Sequence, residues 1–375
     1  MGNHQSTSIL ESKKVVVVGG GFAGAHAIRH LQGKCQLTVI DPREYLHYSI
    51  GSLRASVQPG FEKNIFVSHN EAWGQSFKQG RVTSVDPEKK VVILEDGEEV
   101  QFDIVVIATG SSVPFPGKVG LNVTTSAEAE ELFKEFQGKI KTANRITIVG
   151  GGAVGVELAG EIATDYSEKE ITLINDKDDI IHVSFKEKFR QKAKEQLEAM
   201  GIKLILGERV SNLDELTTDG SQPCSLVKTD KGREIETDLV IHAIGIQANC
   251  DAYKDNFADK LDERNFLKVN EFLQVDGYTD VFAVGDCNNA DQVKMATKAM
   301  NQMEVLAQNV KALVDNGEMI PYKEETIMTL STGRNSGVTQ FKSVVFGSLL
   351  TKKLKSQHVF IHRFWKETMG LDLKE

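Results

Sequence analysis

Two short glycine-rich segments carry the residues best suited to chemistry. The first reads Val15-Val-Val-Val-Gly-Gly-Gly-Phe-Ala-Gly24, and the second reads Ile146-Thr-Ile-Val-Gly-Gly-Gly-Ala-Val-Gly155. In each, an apolar β-branched run ends at glycines and is followed by apolar residues at helical spacing. A strand that turns through glycines into a helix presents free backbone N–H groups and the positive helix end, which suits phosphate binding. The two segments therefore predict two dinucleotide sites.

In the first site, Gly19 allows the tight turn, Gly21 lets the backbone approach a pyrophosphate, and Gly24 lets the helix pack against the strand. We assign the other turn residues, Gly20, Phe22 and Ala23, to the same ligand. Asp41 ends the next strand, 22 residues after Gly19, where an acid accepts hydrogen bonds from an adenosine ribose. The alternative is that Asp41 is a solvated turn residue before Pro42.

The second site repeats this arrangement, and Asn175 takes the position of Asp41. The residues assigned to its turn are Gly150, Gly152, Ala153, Val154 and Gly155. An acid at position 175 would favour the free ribose 2′-hydroxyl of NADH, whereas an arginine would favour the 2′-phosphate of NADPH. Asparagine favours neither, so both cofactors stay open. Glu157 is expected in the first helical turn, where it either compensates the helix dipole or lies beside the nicotinamide.

A strand ending in Gly285-Asp286 indicates which site holds a flavin. Asp286 at a strand end is placed to accept hydrogen bonds from the hydroxyls of a ribityl chain, and a helix is predicted from about Met295 to Ala307. Together with the strand ends Ala108-Thr-Gly110 and Ala243-Ile-Gly245, this favours FAD at the first turn and NAD(P)H at the second. The further cofactor-binding residues assigned on this basis are Thr109, Gly110, Gly245, Met295 and Ala296.

The elements that position these groups form one strand–turn–helix–strand unit that occurs twice. The sequence therefore predicts an α/β fold with two Rossmann-like dinucleotide-binding domains and a smaller C-terminal α+β domain. We expect residues 13–120 and 255–320 to form the FAD-binding domain and residues 121–254 the NAD(P)H-binding domain. Residues 1–12 precede them, and residues 321–375 form the third domain.

Composition narrows the class of protein. The chain has 375 residues, of which 40% are hydrophobic and 26% charged, as in ordinary soluble enzymes. No apolar run reaches the roughly 18 residues of a membrane-spanning helix, and no cleaved secretory signal is recognisable. The four cysteines are widely spaced, which predicts reduced thiols and neither a disulfide framework nor a metal site. They are Cys35, Cys224, Cys250 and Cys287.

Charge is distributed unevenly along the chain. The net charge of −9 argues against general nucleic-acid binding. Residues 326–366, however, contain no Asp or Glu and seven Lys or Arg, which leaves −16 on the remainder.

The motifs together resemble the apoptosis-inducing-factor-like group of FAD-dependent pyridine nucleotide oxidoreductases, which are flavoproteins with two dinucleotide-binding domains. The resemblance covers essentially the whole chain. The segments that carry it include both glycine turns, Met1-Gly2, Ser52-Leu-Arg-Ala-Ser56, Ala108-Thr-Gly-Ser111, Pro114-Phe-Pro-Gly-Lys118, Glu208-Arg-Val-Ser-Asn-Leu213, Gly285-Asp-Cys287 and Gly333-Arg-Asn335.

This resemblance implies a glutathione-reductase-like arrangement and an NAD(P)H-dependent quinone oxidoreductase with bound FAD. It further implies reduction of ubiquinone and vitamin K at membranes to radical-trapping quinols, which suppresses lipid peroxidation and ferroptosis. By matching position, Gly19 to Ala23, Arg54, Val82, Lys118 and Asp286 would contact FAD. Lys118 would stabilise negative charge on the reduced flavin, or else be a surface lysine. Hydride transfer itself requires no side chain as acid or base.

Two features favour contact with a membrane. Met1-Gly2-Asn-His-Gln-Ser6 fits the pattern for N-myristoylation at Gly2, and because one acyl chain binds membranes only marginally, a second signal is needed. The acid-free segment 326–366 supplies cations for anionic lipid. Its aromatic residues, of which Phe360 and Trp365 are the substrate candidates, would enter the interface, line a quinone tunnel or simply pack in a core. The other three are Phe341, Phe346 and Phe364.

We therefore expect a cytoplasmic protein held at the plasma membrane, lipid droplets or the mitochondrial outer membrane, and the sequence leaves a homodimer open. One rival is a flavin disulfide reductase, which needs a redox-active cysteine pair that this sequence lacks. A second rival is a cell-death effector that binds nucleic acid through the basic C-terminal region, against which the net charge and the intact glycine turns argue.

Overall fold

The computed structural model describes residues 9–217 and 225–373. Its strands are β1 (Lys14–Val18), β2 (Gln36–Asp41), β3 (Tyr45–His47), β4 (Phe66–Ser68), β5 (Phe77–Gln79), β6 (Val82–Asp86), β7 (Val91–Leu94), β8 (Glu99–Gln101), β9 (Ile104–Ile107), β10 (Ser111–Ser112), β11 (Arg145–Val149), β12 (Glu170–Asn175), β13 (Lys203–Leu206), β14 (Ser225–Lys228), β15 (Glu234–Thr237), β16 (Leu239–His242), β17 (Gln247–Ala248), β18 (Val281–Ala283), β19 (Ile327–Ser331), β20 (Gly337–Phe341) and β21 (Val344–Phe346). Its helices are α1 (Phe22–Leu31), α2 (Ser52–Ala55), α3 (His69–Trp73), α4 (Ser126–Thr142), α5 (Ala153–Asp165), α6 (Glu187–Ala199), α7 (Ala296–Asp315), α8 (Ser348–Thr351) and α9 (Ile361–Arg363). Two π-helical turns, Lys352–Ser356 and Phe364–Met369, continue α8 and α9.

The first domain is built on a five-stranded parallel sheet with strand order β18-β9-β1-β2-β5. Parallel sheets are covered on both faces, which explains why Val15 to Val18 are all buried. Val15 and Val17 pack with α1 and α7, whereas Val16 and Val18 pack with the antiparallel strands β6 and β7. Because β18 joins this sheet, the chain returns to the first domain after completing the second.

The second domain repeats this plan with a four-stranded parallel sheet, in the order β13-β12-β11-β16. Helices α4, α5 and α6 contribute to the core on one face, and the β14–β15 hairpin covers the other. A short antiparallel pair between β10 and β17 links the two domains. The α/β fold with two parallel-sheet dinucleotide units is confirmed, while the domain boundaries stay predictions.

The third part of the chain is an antiparallel sheet, β19-β20-β21, followed by short helices. Met328, Leu330 and Val338 on one face of this sheet join the core of the second domain. The helical segment reaches the first domain, where Tyr48 Oη donates to the carbonyl of Val359 at 2.8 Å. The C-terminal part therefore packs against both dinucleotide domains. Among the described residues, no helix is both long and apolar enough to cross a membrane.

Candidate functional site

The first glycine turn has the geometry of a phosphate cradle. Gly19 has φ +122°, and an added Cβ would lie 2.2 Å from the carbonyl oxygen of Ala108, so only glycine fits. A Cβ on Gly24 would lie 2.4 Å from the carbonyl oxygen of Gly19, which explains the close approach of α1. A Cβ on Gly21 would meet nothing within 4 Å, and Gly21 caps α1 without any side-chain hydrogen bond. The N–H groups at the start of α1 therefore face open space.

The second turn repeats this geometry closely. Gly150 has φ +123°, and a Cβ on Gly155 would lie 1.9 Å from the carbonyl oxygen of Gly150. Gly152 caps α5 without a side-chain hydrogen bond, and a Cβ there would meet nothing within 4 Å. Ala153 and Val154 begin the helix, so this helix also presents free N–H groups outward.

Asp41 and Asn175 hold the two turns in equivalent ways. Asp41 Oδ2 accepts from the backbone N–H of Gly20 at 2.7 Å, and Oδ1 accepts from the N–H of Arg43 at 2.9 Å. Burial raises the pKa of Asp41, but the Arg43 guanidinium, His69 and these N–H groups hold it below its usual value overall. Asn175 Oδ1 accepts from the N–H of Gly151 at 2.9 Å. Both side chains support the turn itself, and the predicted ribose contacts stay predictions.

Lys118 and Asp286 are brought together although 168 residues separate them. Lys118 Nζ donates to Asp286 Oδ2 at 3.0 Å and to Ser111 Oγ at 2.8 Å, and Ser111 Oγ donates to Asp286 Oδ2 at 2.6 Å. Burial raises the pKa of Asp286, but Lys118 and Ser111 lower it below its usual value overall. Asp286 is therefore an anion positioned beside a cation.

The helix α7 begins next to this cluster. Met295 caps the helix without a side-chain hydrogen bond, and Ala296 is its first residue. A Cβ on Gly285 would lie 3.3 Å from Ala299 Cβ, which places the start of α7 against the turn that carries Asp286. The start of α7 therefore adds free N–H groups and a positive helix end to the Lys118–Asp286 cluster.

Glu157 forms a buried ion pair with a residue of the C-terminal segment. Its Oε1 accepts from Lys355 Nζ at 2.5 Å and from the N–H of Ser331 at 2.9 Å. Each side chain of the Glu157–Lys355 pair is 11% exposed. The prediction that Glu157 lies in the first helical turn is wrong, because α5 begins at Ala153 and Glu157 is one turn inside. From there it faces the C-terminal segment instead of the helix end.

The family model of the pyridine nucleotide-disulphide oxidoreductases matches residues 13–303, which include both glycine turns, Lys118 and Asp286. The chain belongs to the pyridine nucleotide-disulphide oxidoreductase family. It is 39% identical to ferroptosis suppressor protein 1 of Xenopus tropicalis over 363 residues, covering 96% of this chain and 97% of that protein. The human protein of the same name is 37% identical, covering 94% and 95%. The expected resemblance is thereby confirmed.

A solved structure shows the same fold at much lower identity. The sulfide:quinone oxidoreductase of Aquifex aeolicus superposes with a TM-score of 0.78 at 17% identity, covering 96% of this chain and 92% of that one. Members of the pyridine nucleotide-disulphide oxidoreductase family use FAD with NAD(P)H, which confirms the cofactor prediction. The open cradles at Gly21 and Gly152 fit the two pyrophosphates, and the Lys118–Asp286 cluster fits the flavin end of FAD.

Arg54 has a different surrounding from the one expected of a cofactor ligand. Its guanidinium donates to Glu161 at 2.7 and 3.2 Å, to the carbonyl of Gln357 at 2.7 Å and to that of Ser356 at 2.5 Å. These acceptors lie on α5 and in the C-terminal segment. Arg54 therefore joins three parts of this oxidoreductase, and a contact of Arg54 with FAD stays a prediction.

The remaining predicted ligands lie at strand ends and in the β6–β8 layer. Asn249 Nδ2 donates to the carbonyl of Thr109 at 2.8 Å, and Gly110 and Gly245 have φ of +69° and +85° at the ends of their strands. Val82 begins β6 and is half-buried beside the core on that face of the first sheet. These positions leave their contacts with FAD or NAD(P)H as predictions.

The aromatic candidates of the C-terminal segment divide into two groups. Trp365 and Phe364 are buried, and Trp365 Nε1 donates to the carbonyl of Asn64 at 2.8 Å. Trp365 also lines a cavity of about 1330 Å³ between this segment and the first domain. Phe360 is half-buried in a left-handed turn (φ +57°), whereas Phe341 and Phe346 are exposed. Packing in the core thus explains why Phe364 is aromatic, and it explains the burial of most of the Trp365 side chain.

The structure describes three of the four cysteines. Cys35, Cys250 and Cys287 are free thiols, and no cluster of potential metal ligands occurs in residues 9–217 and 225–373. Cys224 and Gly2 lie outside the described residues. Sequence reasoning missed the partner of Glu157, because Lys355 resembled the other cations of an acid-free segment. It also missed Arg43, although an arginine two residues after Asp41 could have been recognised as a partner.

Proposed function

We propose that this flavin-dependent NAD(P)H oxidoreductase reduces ubiquinone and vitamin K-type quinones at a membrane and thereby suppresses lipid peroxidation. The relatives named ferroptosis suppressor protein 1, which match nearly the full length of the chain, support the role in ferroptosis. The quinone acceptor is supported by the buried Glu157–Lys355 pair.

Reduction of a quinone to a quinol consumes two protons as well as two electrons. When bound, FAD supplies the ring that accepts a hydride from the nicotinamide and passes two electrons onward. Lys355 holds a proton at Nζ; within the described chain, Glu157 and the carbonyl of Thr329 accept two of its three N–H groups. The third N–H is available to a quinone oxygen.

The helix that carries Glu157 also packs against the loop that carries Lys118. Loop 114–118 carries Lys118, and a Cβ on Gly117 would lie 3.5 Å from Val154 Cγ1 on α5. Glu157 lies three residues after Val154, slightly less than one turn further along the same helix. A quinone that reached the ring from the C-terminal segment would therefore approach Lys355.

The test compares Lys355→Met with Lys353→Met, a neighbour on the exposed side of the same segment. We expect the purified wild type to be yellow, to oxidise NAD(P)H and to reduce a soluble quinone. Loss of a positioned proton donor should lower quinone reduction about 100-fold in Lys355→Met, while NAD(P)H still reduces the flavin at nearly the wild-type rate. Lys353→Met should match the wild type. Equal quinone turnover in both variants would reject the proposal.

Membrane action is proposed to depend on an acyl chain at Gly2 and on cations of the C-terminal segment. Fewer of these cations can contact lipid than the sequence suggests, because Arg334 pairs with Asp165 and Lys355 pairs with Glu157. Gly2→Ala should move the protein from the membrane to the soluble fraction of cells, and unchanged fractionation would reject the anchor. The same inward pairing weakens the case for a nucleic-acid-binding effector.

A further inference from the structure

A buried amide, Gln302 of α7, holds the turn Gly285–Cys287 that carries Asp286, which we call the Asp286 turn. Gln302 Oε1 accepts from the backbone N–H of Gly285 at 2.7 Å and from Asn288 Nδ2 at 2.8 Å. Gln302 is 1% exposed and Asn288 is fully buried, so water cannot replace either hydrogen bond without opening the core. The amide of Gln302 therefore fixes the backbone where the Asp286 turn begins.

Backbone groups determine the orientation of both amides. Asn288 Nδ2 also donates to the carbonyl of Ala283 at 2.7 Å, and Asn288 Oδ1 accepts from the N–H of Ala290 at 3.1 Å. A carbonyl can only accept and an N–H can only donate, so the Asn288 amide has one orientation. The N–H of Gly285 orients the Gln302 amide in the same way, with Oε1 toward the turn. The NH₂ group of Gln302 must therefore point away from the turn.

On its other side the Gln302 amide meets a buried carboxylate. Gln302 Nε2 donates to Asp291 Oδ2 at 2.5 Å, and Asp291 is 3% exposed. Lys298 Nζ lies 3.3 Å from Asp291 Oδ1, and Tyr322 Oη donates to the two carboxylate oxygens at 3.0 and 3.1 Å. Burial, and then the charge of Asp291, raises the pKa of Tyr322 above its usual value, so the hydroxyl keeps its proton and donates. Asp291 therefore receives hydrogen bonds or charge from three separate side chains.

Two of these side chains connect the carboxylate to the linker of residues 316–326, which joins α7 to β19. Tyr322 lies in this linker. Lys298 of α7 donates to Glu324 of the same linker and also pairs with the buried carboxylate. A continuous path of hydrogen bonds and ion pairs therefore runs from the linker, through the carboxylate and the Gln302 amide, to the Asp286 turn.

We infer that Gln302 is a positioning residue for FAD, which holds the Asp286 turn in the conformation that receives the flavin end of the cofactor, and that Asp291 fixes the direction of its amide. Asp286 is the predicted acceptor for the ribityl hydroxyls, and Lys118 lies beside it. Groups that bind a ligand are held to within about 0.5 Å by side chains that are themselves fixed by packing and hydrogen bonds. Gln302 gives the turn this support from the core side. The inference rests on FAD binding at this turn and holds for any electron acceptor.

The variant Gln302→Glu tests the direction of the amide, because the introduced group changes its hydrogen bonding with pH. When protonated, it donates to Asp291 and accepts from the N–H of Gly285, as the amide does. When ionised, it places a second negative charge against the Asp291 carboxylate, and this neighbour raises its pKa. The other ionisable groups around the pair are Lys294, Lys298, Tyr322 and Glu324. The dissociation constant of FAD, relative to the wild type, should be unchanged at about pH 5.5 and about tenfold higher at about pH 8.5.

Three further variants of the full-length flavoprotein complete the test, with FAD release on dilution followed by flavin fluorescence. Gln302→Leu removes the support altogether and should weaken FAD binding about tenfold at every pH. Tyr322→Phe removes one donor from Asp291 and should weaken it about threefold. The matched control is Gln308→Leu, which replaces an exposed glutamine of the same helix and should bind FAD as the wild type does.

Wild-type FAD affinity in Gln302→Leu overturns the inference. So does a loss of affinity in Gln302→Glu that is the same at both pH values, because a side chain that only fills space would give that result. If Gln302→Leu does not fold, the pH series of Gln302→Glu decides alone, since this variant keeps the shape and the acid-form hydrogen bonds of the amide. A wild type that binds FAD but does not reduce a quinone would reject the proposed acceptor and leave the result for Gln302 intact.

Discussion

Asp41→Asn tests how the first glycine turn is held. Asp41 accepts from the N–H of Gly20 through one oxygen and from Arg43 through the other, at 2.9 Å to the backbone N–H and 3.3 Å to Nε. An asparagine has one acceptor, so its NH₂ would face either Gly20 or Arg43, donor against donor. Hydrogen bonds that involve a charged group contribute about 1.5–3 kcal/mol each. We expect the free energy of unfolding to fall by about 2–3 kcal/mol at neutral pH.

The pH dependence of this loss has a defined sign. The pKa of Asp41 is lowered in the folded protein, so its contribution is fully present above the unfolded pKa of about 3.9. It disappears as the pH falls through the lower, folded value. The difference between the wild type and Asp41→Asn should therefore be largest at neutral pH and shrink in acid. Urea unfolding of the flavoprotein, followed by flavin fluorescence across a pH series, measures it.

The reciprocal variant Asn175→Asp serves as the matched comparison. A carboxylate would still accept from the N–H of Gly151, but it would face the carbonyl of Asp179, to which Asn175 Nδ2 now donates at 2.7 Å. The loss of stability in Asn175→Asp should also become smaller in acid, because the protonated carboxyl group can again donate a hydrogen bond to the carbonyl of Asp179. Equal stability of Asp41→Asn and the wild type at neutral pH, or a difference that grows in acid, would refute the reasoning about the first turn.

Three further predictions concern stability, measured as the free energy of unfolding. Gly160→Ala should destabilise the protein by about 1–3 kcal/mol, because the new Cβ would lie 2.5 Å from the backbone of the C-terminal part. Gly138→Ala, on the open face of α4, is the control and should stabilise the protein by up to about 1 kcal/mol. Glu161→Gln should cost about 3–5 kcal/mol by leaving the buried guanidinium of Arg54 without its anion, and a double-mutant cycle with Arg54→Met should show strong coupling. Burial lowers the pKa of His26 to about 4 in the folded protein, so the unfolded chain binds a proton at a higher pH than the folded chain does. The free energy of unfolding should therefore fall by about 3 kcal/mol as the pH is lowered from 6.5 to 4. The variant His26→Leu should remove this pH dependence.

The fold was largely predictable because its signals are local. The predicted second strand of the first unit, 37–40, lies within β2, and the equivalent strand 171–174 lies within β12. Apolar runs that end at glycines specify strand, turn and helix over about 25 residues, without reference to the rest of the chain. The return of the chain to the first sheet at β18 was likewise expected from the strand that ends at Asp286.

The partners of the site residues were not predictable because they depend on distant contacts. Glu157 and Lys355 are 198 residues apart, and nothing in the composition around Lys355 distinguishes it from Lys352 or Lys353. Only the helical register, which buries every fourth residue of this segment, selects Lys355 as the inward lysine. The inward direction of Arg54 has the same origin, because its acceptors come from α5 and the C-terminal segment.

The buried charges between the domains are best understood as fixing geometry. Arg54 of the first domain binds Glu161 of the second and the carbonyls of Ser356 and Gln357, which directly follow Lys355. Burying such a pair contributes little net stability, since desolvation offsets the attraction, but a charge without its partner is strongly unfavourable. Alternative placements of the C-terminal segment would leave the buried guanidinium without the carbonyls of Ser356 and Gln357 and are therefore disfavoured. The same guanidinium that joins the two dinucleotide domains thus fixes the position of Lys355 against Glu157.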